Sequence, residues 1–283
     1  MNRTAYIIAL CLIVCDICLY QYGGLILAAA ALIYGIIGEW IAVRKMGGVL
    51  CDPGINSFHA RLFNCFEEVK SKTQANGKSF DYVRVYLLPD ETINAYCFGY
   101  RSIGVNRGTM QLDDKTVESI VAHECGHIYR GDSALNRVIL THMAGIILML
   151  MISQFALIIF IYGLFLLLCL LGIGRFSYAG VFITSKLGDL AKGLMHGLMF
   201  AVHFCVQAVI AAFGRRAEYL ADAYSSSLGY GFYLMRYLER FSPDDSASRS
   251  LTAILYNDHP DNGSRISRLI ALQKKNQAVI PGS

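Results

Sequence analysis

Four long apolar runs divide the chain, and two mixed segments, 46–137 and 215–283, lie between and after them. The first two runs fall within 4–43, where Asp16 and Glu39 are the only charges and a polar break at 21–24 leaves room for two spans of about 18 to 20 residues. The third run, 138–174, has no charge over 37 residues, and the fourth, 193–214, has none over 22. Each run is predicted to form helix that spans a membrane.

The third run is longer than one span requires. As a single helix, its 37 residues would extend about 55 Å, against a hydrocarbon core of roughly 30 Å. It is therefore either one helix that projects beyond the bilayer or a hairpin of two. The first run follows a single arginine, Arg3, and lacks a small-residue cleavage pattern, so we expect an uncleaved anchor.

The segment 46–137 has the mixture of polar and apolar residues that is typical of a globular domain. Residues 58–74 place apolar side chains at helical spacing, residues 80–88 alternate as a strand does, and 93–108 predict two more strands with a turn near Gly99. A last helix begins after Asp113 or Asp114 as N-cap. The predicted fold class is mainly α with a small β-sheet, α+β. The apolar faces of the two helices are Phe58, Leu62, Cys65, Phe66 and Val69, and Val117, Ile120, Val121 and Ile128.

Composition agrees with a membrane protein: 55% of residues are hydrophobic, 16% are charged, and the mean hydropathy is +0.44. The net charge of +4 is small and is not gathered into a basic stripe with interleaved aromatics, which excludes a nucleic-acid partner. The nine cysteines are odd in number, and five lie in apolar runs. This pattern predicts free, buried thiols in a reducing compartment.

The stretch SIVAHECGHIYRGD, residues 119–132, suggests a metal site. His123 and His127 are four residues apart, so one helical turn places both imidazoles on the same face, within reach of one ion. Glu124 stands beside them, where a carboxylate can take a proton from water that zinc has acidified towards a pKa of about 7. The competing interpretation is a capped amphipathic helix with polar residues near its end.

A catalytic zinc site needs a third protein ligand. The stretch RRAEYLADAYS places Glu218 and Asp222 on one helical face, directly after the fourth apolar run, so one element can supply a ligand and an acceptor for a histidine N–H. We select Glu218; the alternative is a solvated residue that pairs with Arg215. The candidates for this position are His142, His196, His203, Glu218 and His259.

The motifs HECGH, EYLAD and HPDNGSRI, together with the apolar runs, resemble the membrane-embedded gluzincin peptidases, the group that includes the HtpX heat-shock proteases and the CAAX prenyl endopeptidases. The resemblance implies one Zn²⁺ per chain, held by His123, His127 and Glu218. It implies that Glu124 is the general base and that Asp222 supports a zinc histidine.

The same resemblance implies substrate contacts. Asn94 and Ala95 in INAYCFG match the start of the edge strand that pairs with the substrate backbone. His259 and Arg265 match a segment where a donor to the tetrahedral oxyanion is expected.

The two halves of this site can meet only if the chain crosses the membrane an even number of times between them. One crossing in 138–174 and one in 193–214 predict four spans, with a transmembrane hairpin at 1–45, further spans in 138–213, and catalytic halves at 46–137 and 214–283. Basic residues near the span ends favour a cytoplasmic site, seven against three. They are Arg3, Arg44, Lys45, Arg130, Arg137, Arg215 and Arg216 on the catalytic side, and Arg175, Lys186 and Lys192 opposite.

The function hypothesis is a zinc endopeptidase of the bacterial inner membrane that hydrolyses misfolded or membrane-proximal polypeptides, with the lipid bilayer and polypeptides as its partners. One alternative is an intramembrane-cleaving protease, which the charges around the histidine motif disfavour. Another is a non-catalytic zinc-binding membrane scaffold.

Overall fold

The computed structural model describes residues 29, 33, 37–171, 179–241 and 261–278. The predicted hairpin at 1–45 falls outside these residues except for 29, 33 and 37–45, and His259 also lies outside them. The chain divides into two compact units, one formed by residues 1–139 and 210–283 and the other by residues 140–209.

Four strands form one mixed sheet in the first unit. The strands are β1 (Val49–Leu50), β2 (Arg84–Leu88), β3 (Ala95–Cys97) and β4 (Ser102–Asn106), in the order β1-β2-β4-β3. β2 and β4 are parallel, with Val85 opposite Ile103, whereas β1 and β3 pair antiparallel at the two edges. The two strands expected within 93–108 are confirmed as β3 and β4, and β1 was not predicted.

The strand predicted over 80–88 is shorter than expected. A turn closes at its start, where the Val83 N–H donates to the Phe80 carbonyl (2.9 Å), so the ladder begins only at Arg84. Phe80 is buried in the core all the same. Alternation would place Phe80 on the same side as the exposed Tyr82, so the strand pattern did not predict that Phe80 is buried.

Besides a helical stretch at 37–45, six helices are described: α1 (Ser57–Ala75), α2 (Asp114–Arg130), α3 (Asp132–Leu170), α4 (Ala179–Ser227), α5 (Gly231–Phe241) and α6 (Asn262–Ala278). A 3₁₀ helix (Arg107–Gln111) follows β4. Of the two N-caps proposed for α2, Asp113 is confirmed, since its side chain accepts the Thr116 N–H at 3.0 Å. α2 ends at Gly131, whose φ of 72° is the left-handed conformation that glycine adopts without strain.

The core lies where α1 and α2 pack against the sheet. Leu62 and Val69 of α1, Val117 and Val121 of α2, and Val105 of β4 are fully buried there. Each such side chain contributes roughly 1.5 to 3 kcal/mol through burial. Phe58, predicted on the apolar face of α1, is 42% exposed, so that face begins one turn later.

A buried carboxylate ties the helical stretch 37–45 to the sheet. Glu39 is 7% exposed, and its two carboxylate oxygens accept the backbone N–H groups of Tyr100 and Arg101, each at 3.2 Å. Glu39, read from the sequence as a charge within an apolar run, therefore holds the turn between β3 and β4.

The third apolar run lies in one continuous helix as far as Leu170, so the hairpin alternative is wrong for these residues. α4 is also continuous, and it joins the fourth run to the EYLAD segment. Apolar side chains of α3 such as Phe155 and Phe160 are about two-thirds exposed. Over the part of the chain that the structure describes, no helix is long and apolar enough to cross a membrane. The four spans stay a prediction.

Candidate active site

Close contact between α2 and α4 builds the site. Gly126 faces Ala221, and a Cβ added at Gly126 would lie 2.9 Å from the Ala221 Cα, so only glycine permits this approach. One turn further along, the buried Ser225 hydroxyl donates to the Ser119 carbonyl at 2.9 Å. The two helices therefore meet along several turns, and their polar side chains face each other across a short gap.

Three potential ligand atoms converge in that gap. His123 Nε2 lies 3.2 Å from His127 Nε2 and 3.3 Å from Glu218 Oε2, and His127 Nε2 lies 3.5 Å from Glu218 Oε1. Ligands placed tetrahedrally around zinc at its usual bond lengths of 2.0 to 2.2 Å would be separated by about 3.3 Å. The donor set and its spacing thus fit a zinc ion held by one atom from each residue.

Of the five candidates for the third ligand, Glu218 is the one that the structure places in the converging group, within the described residues. Glu218 is 7% exposed, so its interpretation as a solvated residue is wrong. His196 is exposed on α4 and is not part of the converging group. The side chains of His142 and His203, like all of His259, lie outside the described residues.

Asp222 and Arg265 surround the ligands with a network of charges. Asp222 Oδ1 lies 2.9 Å from His123 Nδ1, the nitrogen that faces away from the other ligands. Arg265, on α6, donates to both Asp222 oxygens, from Nε at 2.8 Å and from Nη2 at 2.6 Å. Its Nη1 lies 3.1 Å from Glu218 Oε2. Arg265 therefore links Glu218, one potential ligand, to Asp222, which contacts another, His123.

This network shifts the pKa values of its members. Burial alone lowers the pKa of His123, but the Asp222 and Glu218 carboxylates outweigh burial and raise it. Burial raises the pKa of Asp222, but Arg265 and His123 more than offset this and hold it below its ordinary value. For Arg265, the same carboxylates overcome burial and raise the pKa. The site is thus organised to stabilise positive charge beside two ionised carboxylates.

Glu124, the residue after His123 on α2, is buried at 8% exposure. With Glu218 and Asp222 it makes three carboxylates against one guanidinium, Arg265, which leaves a formal charge of two negatives at the site. A divalent cation balances that charge, a second feature that fits a metal.

Sequence reasoning missed Tyr237 of α5. It is partly buried against the core, and its pKa is raised by burial and by the charge of Glu124. The apolar spacing of GFYLMRYLERF is the one signal in this segment, and it indicates an amphipathic helix without indicating a functional site.

The predicted substrate strand β3 is an edge of the sheet and packs against α2. The Asn94 carbonyl accepts a backbone hydrogen bond from β4 at 3.0 Å, and the Phe98 N–H donates one to β4 at 2.8 Å. Ala95 and Cys97 alternate with these residues, so their backbone N–H and C=O groups point to the open side of the strand. The Asn94 side chain accepts the Ala95 N–H at 2.9 Å.

Of the described cysteines, Cys51, Cys65, Cys125 and Cys169 have free thiols, as predicted. Cys169 is exposed and Cys51 is half-buried, so the prediction that the thiols are buried is wrong for these two. Cys125, inside the histidine motif, is fully buried away from the ligands, and burial raises its pKa well above the ordinary thiol value. It is a packing residue.

Comparison with known proteins adds independent evidence. The family model described as Peptidase family M48 matches residues 58–273. Protease HtpX of Erwinia tasmaniensis is 23% identical over 290 aligned residues, which cover 89% of this chain and 84% of that protein. Protease HtpX of Escherichia coli K12 is 24% identical over 273 residues, which cover 83% and 80% respectively.

The crystal structure of Ste24p from S. mikatae is similar in fold, with a TM-score of 0.52 and 18% identity. The similarity covers 94% of this chain, which spans 63% of the length of the Ste24p chain, less than two thirds. It supports a mostly helical architecture with a small mixed sheet.

The family match spans most of the chain and includes the histidine motif, the EYLAD segment and Arg265. The relatives are named as proteases, and the three ligand atoms converge as a metal-dependent peptidase requires. The prediction of an enzyme is therefore confirmed. The chain belongs to peptidase family M48 and is a metalloprotease.

Proposed function

We propose that the protein is a zinc-dependent endopeptidase that hydrolyses peptide bonds in misfolded or membrane-proximal proteins. The observation that carries this proposal is the convergence of His123, His127 and Glu218 to separations of 3.2 to 3.5 Å. One zinc ion per chain, when bound there, would polarise the scissile carbonyl and acidify water. Asp222 holds His123 in the tautomer whose Nε2 is free to bind the metal.

Glu124 is the proposed general base. Its buried carboxylate stands one residue from His123, where it takes a proton from the attacking water and passes it to the leaving amine. We assign oxyanion stabilisation to His259 and Arg265. Arg265 already donates to Asp222 and Glu218, so its first effect is to position the ligands. Arg265 is buried beside Glu218, which supports placing part of its positive charge near the reacting carbonyl.

The open side of β3 is the proposed substrate-binding edge. An extended peptide would add to Ala95 and Cys97 as a further strand, which fixes its backbone and leaves side-chain choice to neighbouring subsites. The Ala95 N–H donates to the Asn94 side chain, and this hydrogen bond would have to break before the N–H could donate to a substrate carbonyl. Asn94 and Ala95 thus set how tightly the backbone is held.

We place the enzyme in a bacterial inner membrane with four spans and a cytoplasmic catalytic domain formed from 46–137 and 214–283. The charge-free runs, the exposed apolar side chains of α3 and the distribution of basic residues support this placement. A site at a membrane surface is suited to damaged membrane proteins and their exposed loops.

The substitution Glu124→Gln tests the mechanism. It should leave the zinc content unchanged and abolish cleavage of casein, because the amide cannot accept the proton. Glu67→Gln, the same change at a half-exposed position of α1, is the matched control and should cleave normally. Normal cleavage by Glu124→Gln would remove Glu124 from its role. Zinc binding without cleavage by either the unchanged chain or the control would favour the zinc-binding scaffold.

A further inference from the structure

A cavity of about 730 Å³ lies between α4 and α6, apart from the catalytic gap. Arg215 and Arg216 of α4 and Arg268 of α6 line it, and its remaining walls are mostly apolar, with Leu220 and Leu272 among them. None of its lining residues carries a carboxylate. Three guanidinium groups around an apolar cavity create a positive field that suits an amphiphile with an anionic head.

The position of this cavity along the chain indicates which anion. Arg215 and Arg216 follow directly after 193–214, the charge-free run that belongs to the same continuous helix. In the proposed membrane arrangement, the first charged residues after a span lie at the level of the lipid phosphates. A soluble anion would contact only the guanidinium groups. The apolar walls favour a lipid, because its acyl chain can be buried against them.

We propose that the cavity binds the headgroup of an anionic phospholipid, with the phosphate held by Arg216 and Arg268 and assisted by Arg215. Guanidinium groups bind phosphate oxygens through paired, charge-assisted hydrogen bonds. This inference rests on the proposed membrane location, and its link to zinc also rests on the proposed metal site, but neither depends on the proposed peptidase mechanism. Arg268 already lies 4.0 Å from the ring of Tyr219, so the two walls are in contact at the rim.

Such a lipid would reach the metal site through two helices. Arg215 lies three residues before Glu218 on α4, and Arg268 lies three residues after Arg265 on α6. Arg265 and Glu218 are themselves joined at 3.1 Å. A phosphate that bridges the two walls would hold α6 against α4 and so keep Arg265 on Glu218 and Asp222. Lipid binding should therefore slow the loss of zinc.

Native mass spectrometry of the full chain in detergent tests the binding. The unchanged chain should retain dioleoyl phosphatidylglycerol at a lipid concentration roughly 10- to 30-fold lower than the cavity variant, Arg216→Gln/Arg268→Gln, requires. Retention of dioleoyl phosphatidylcholine should be the same for both proteins. The control Arg236→Gln/Arg240→Gln removes the same charge from exposed positions of α5, outside the cavity lining, and should behave like the unchanged chain.

Equal retention of phosphatidylglycerol by the unchanged chain and the cavity variant would overturn the proposal. So would displacement of the lipid by millimolar inorganic phosphate, because the site would then be one for free anions. For the coupling, zinc release to a chelator should slow severalfold when phosphatidylglycerol is added to the unchanged chain, and not in the cavity variant. An identical response in both would refute the link between lipid and metal. Neither readout needs peptidase activity, so failure here is separable from failure of the proposed mechanism.

Discussion

Gly126 sets the distance between the two helices that carry the metal ligands, so Gly126→Ala should loosen the metal site without unfolding the protein. The added methyl group would lie 2.9 Å from the Ala221 Cα and 3.2 Å from the Cβ atoms of Ala221 and Tyr224. These neighbours are backbone or stiff, short side-chain atoms. Carbon atoms in good contact are about 3.5 Å apart or more. α2 and α4 must therefore separate by about 0.6 Å.

Stability should change little. Overpacking of this kind costs about 1 to 3 kcal/mol, and replacing glycine by alanine within a helix returns about 1 kcal/mol. The net loss of unfolding free energy is then roughly 0 to 2 kcal/mol. The metal site has no such compensation, because a shift of about 0.6 Å between the histidines and Glu218 exceeds the tolerance of about 0.2 Å in metal–ligand distances. We expect zinc affinity to fall by at least about tenfold, as after loss of a supporting contact.

The assay is competition for zinc against a chromophoric chelator, with thermal unfolding measured in parallel. Gly163→Ala is the matched control, because a Cβ there meets nothing within 4 Å, and it should leave zinc affinity unchanged. Unchanged zinc affinity in a folded Gly126→Ala protein would refute the argument that this contact sets the ligand spacing.

Other substitutions test single contacts. Glu218→Ala should reduce bound zinc far below one per chain, measured by atomic emission, and equal stoichiometry would dismiss it as a ligand. Asp222→Asn keeps the shape but loses the charge beside His123, so zinc affinity should fall about 10- to 100-fold, and no change in the chelator assay would contradict this. Asp113→Ala removes the α2 N-cap and should cost about 1 kcal/mol at neutral pH. Because Thr116 lowers the pKa of Asp113 below 3.8, this contribution is present above that pH and fades as the pH falls through the folded value, so denaturant titrations should converge in acid.

Local signals allowed the site helices to be predicted. The cap at Asp113 and the four-residue spacing of His123 and His127 depend on one turn of helix, and neighbours along the sequence determine that geometry. Glu218 and Asp222 were found in the same way, on one face of another helix. Their pairing with the histidines followed only from the family resemblance and the requirement for a common ion.

Contacts between distant segments could not be predicted. Glu39 gave no sign that it accepts amide N–H groups from Tyr100 and Arg101, since a charge in an apolar run is explained as easily by the membrane. β1 is two residues long and exists only because β2 offers an edge. The resemblance implied that Arg265 serves the oxyanion, but no pattern in HPDNGSRI indicated that its guanidinium also contacts two carboxylates.

The role of Arg265 follows from the charge at the site. Glu218 and Asp222 are both buried, and burying two carboxylates side by side is costly unless positive groups are supplied. Arg265 supplies one positive charge from a third segment, and a metal bound at the proposed site would supply the rest. The last helix is thus as necessary to the site as the two that carry the ligands. Arg265→Leu would leave Asp222 paired only through His123 and should lose zinc and stability together, whereas substitution of the exposed Ile270 on the same helix should change neither.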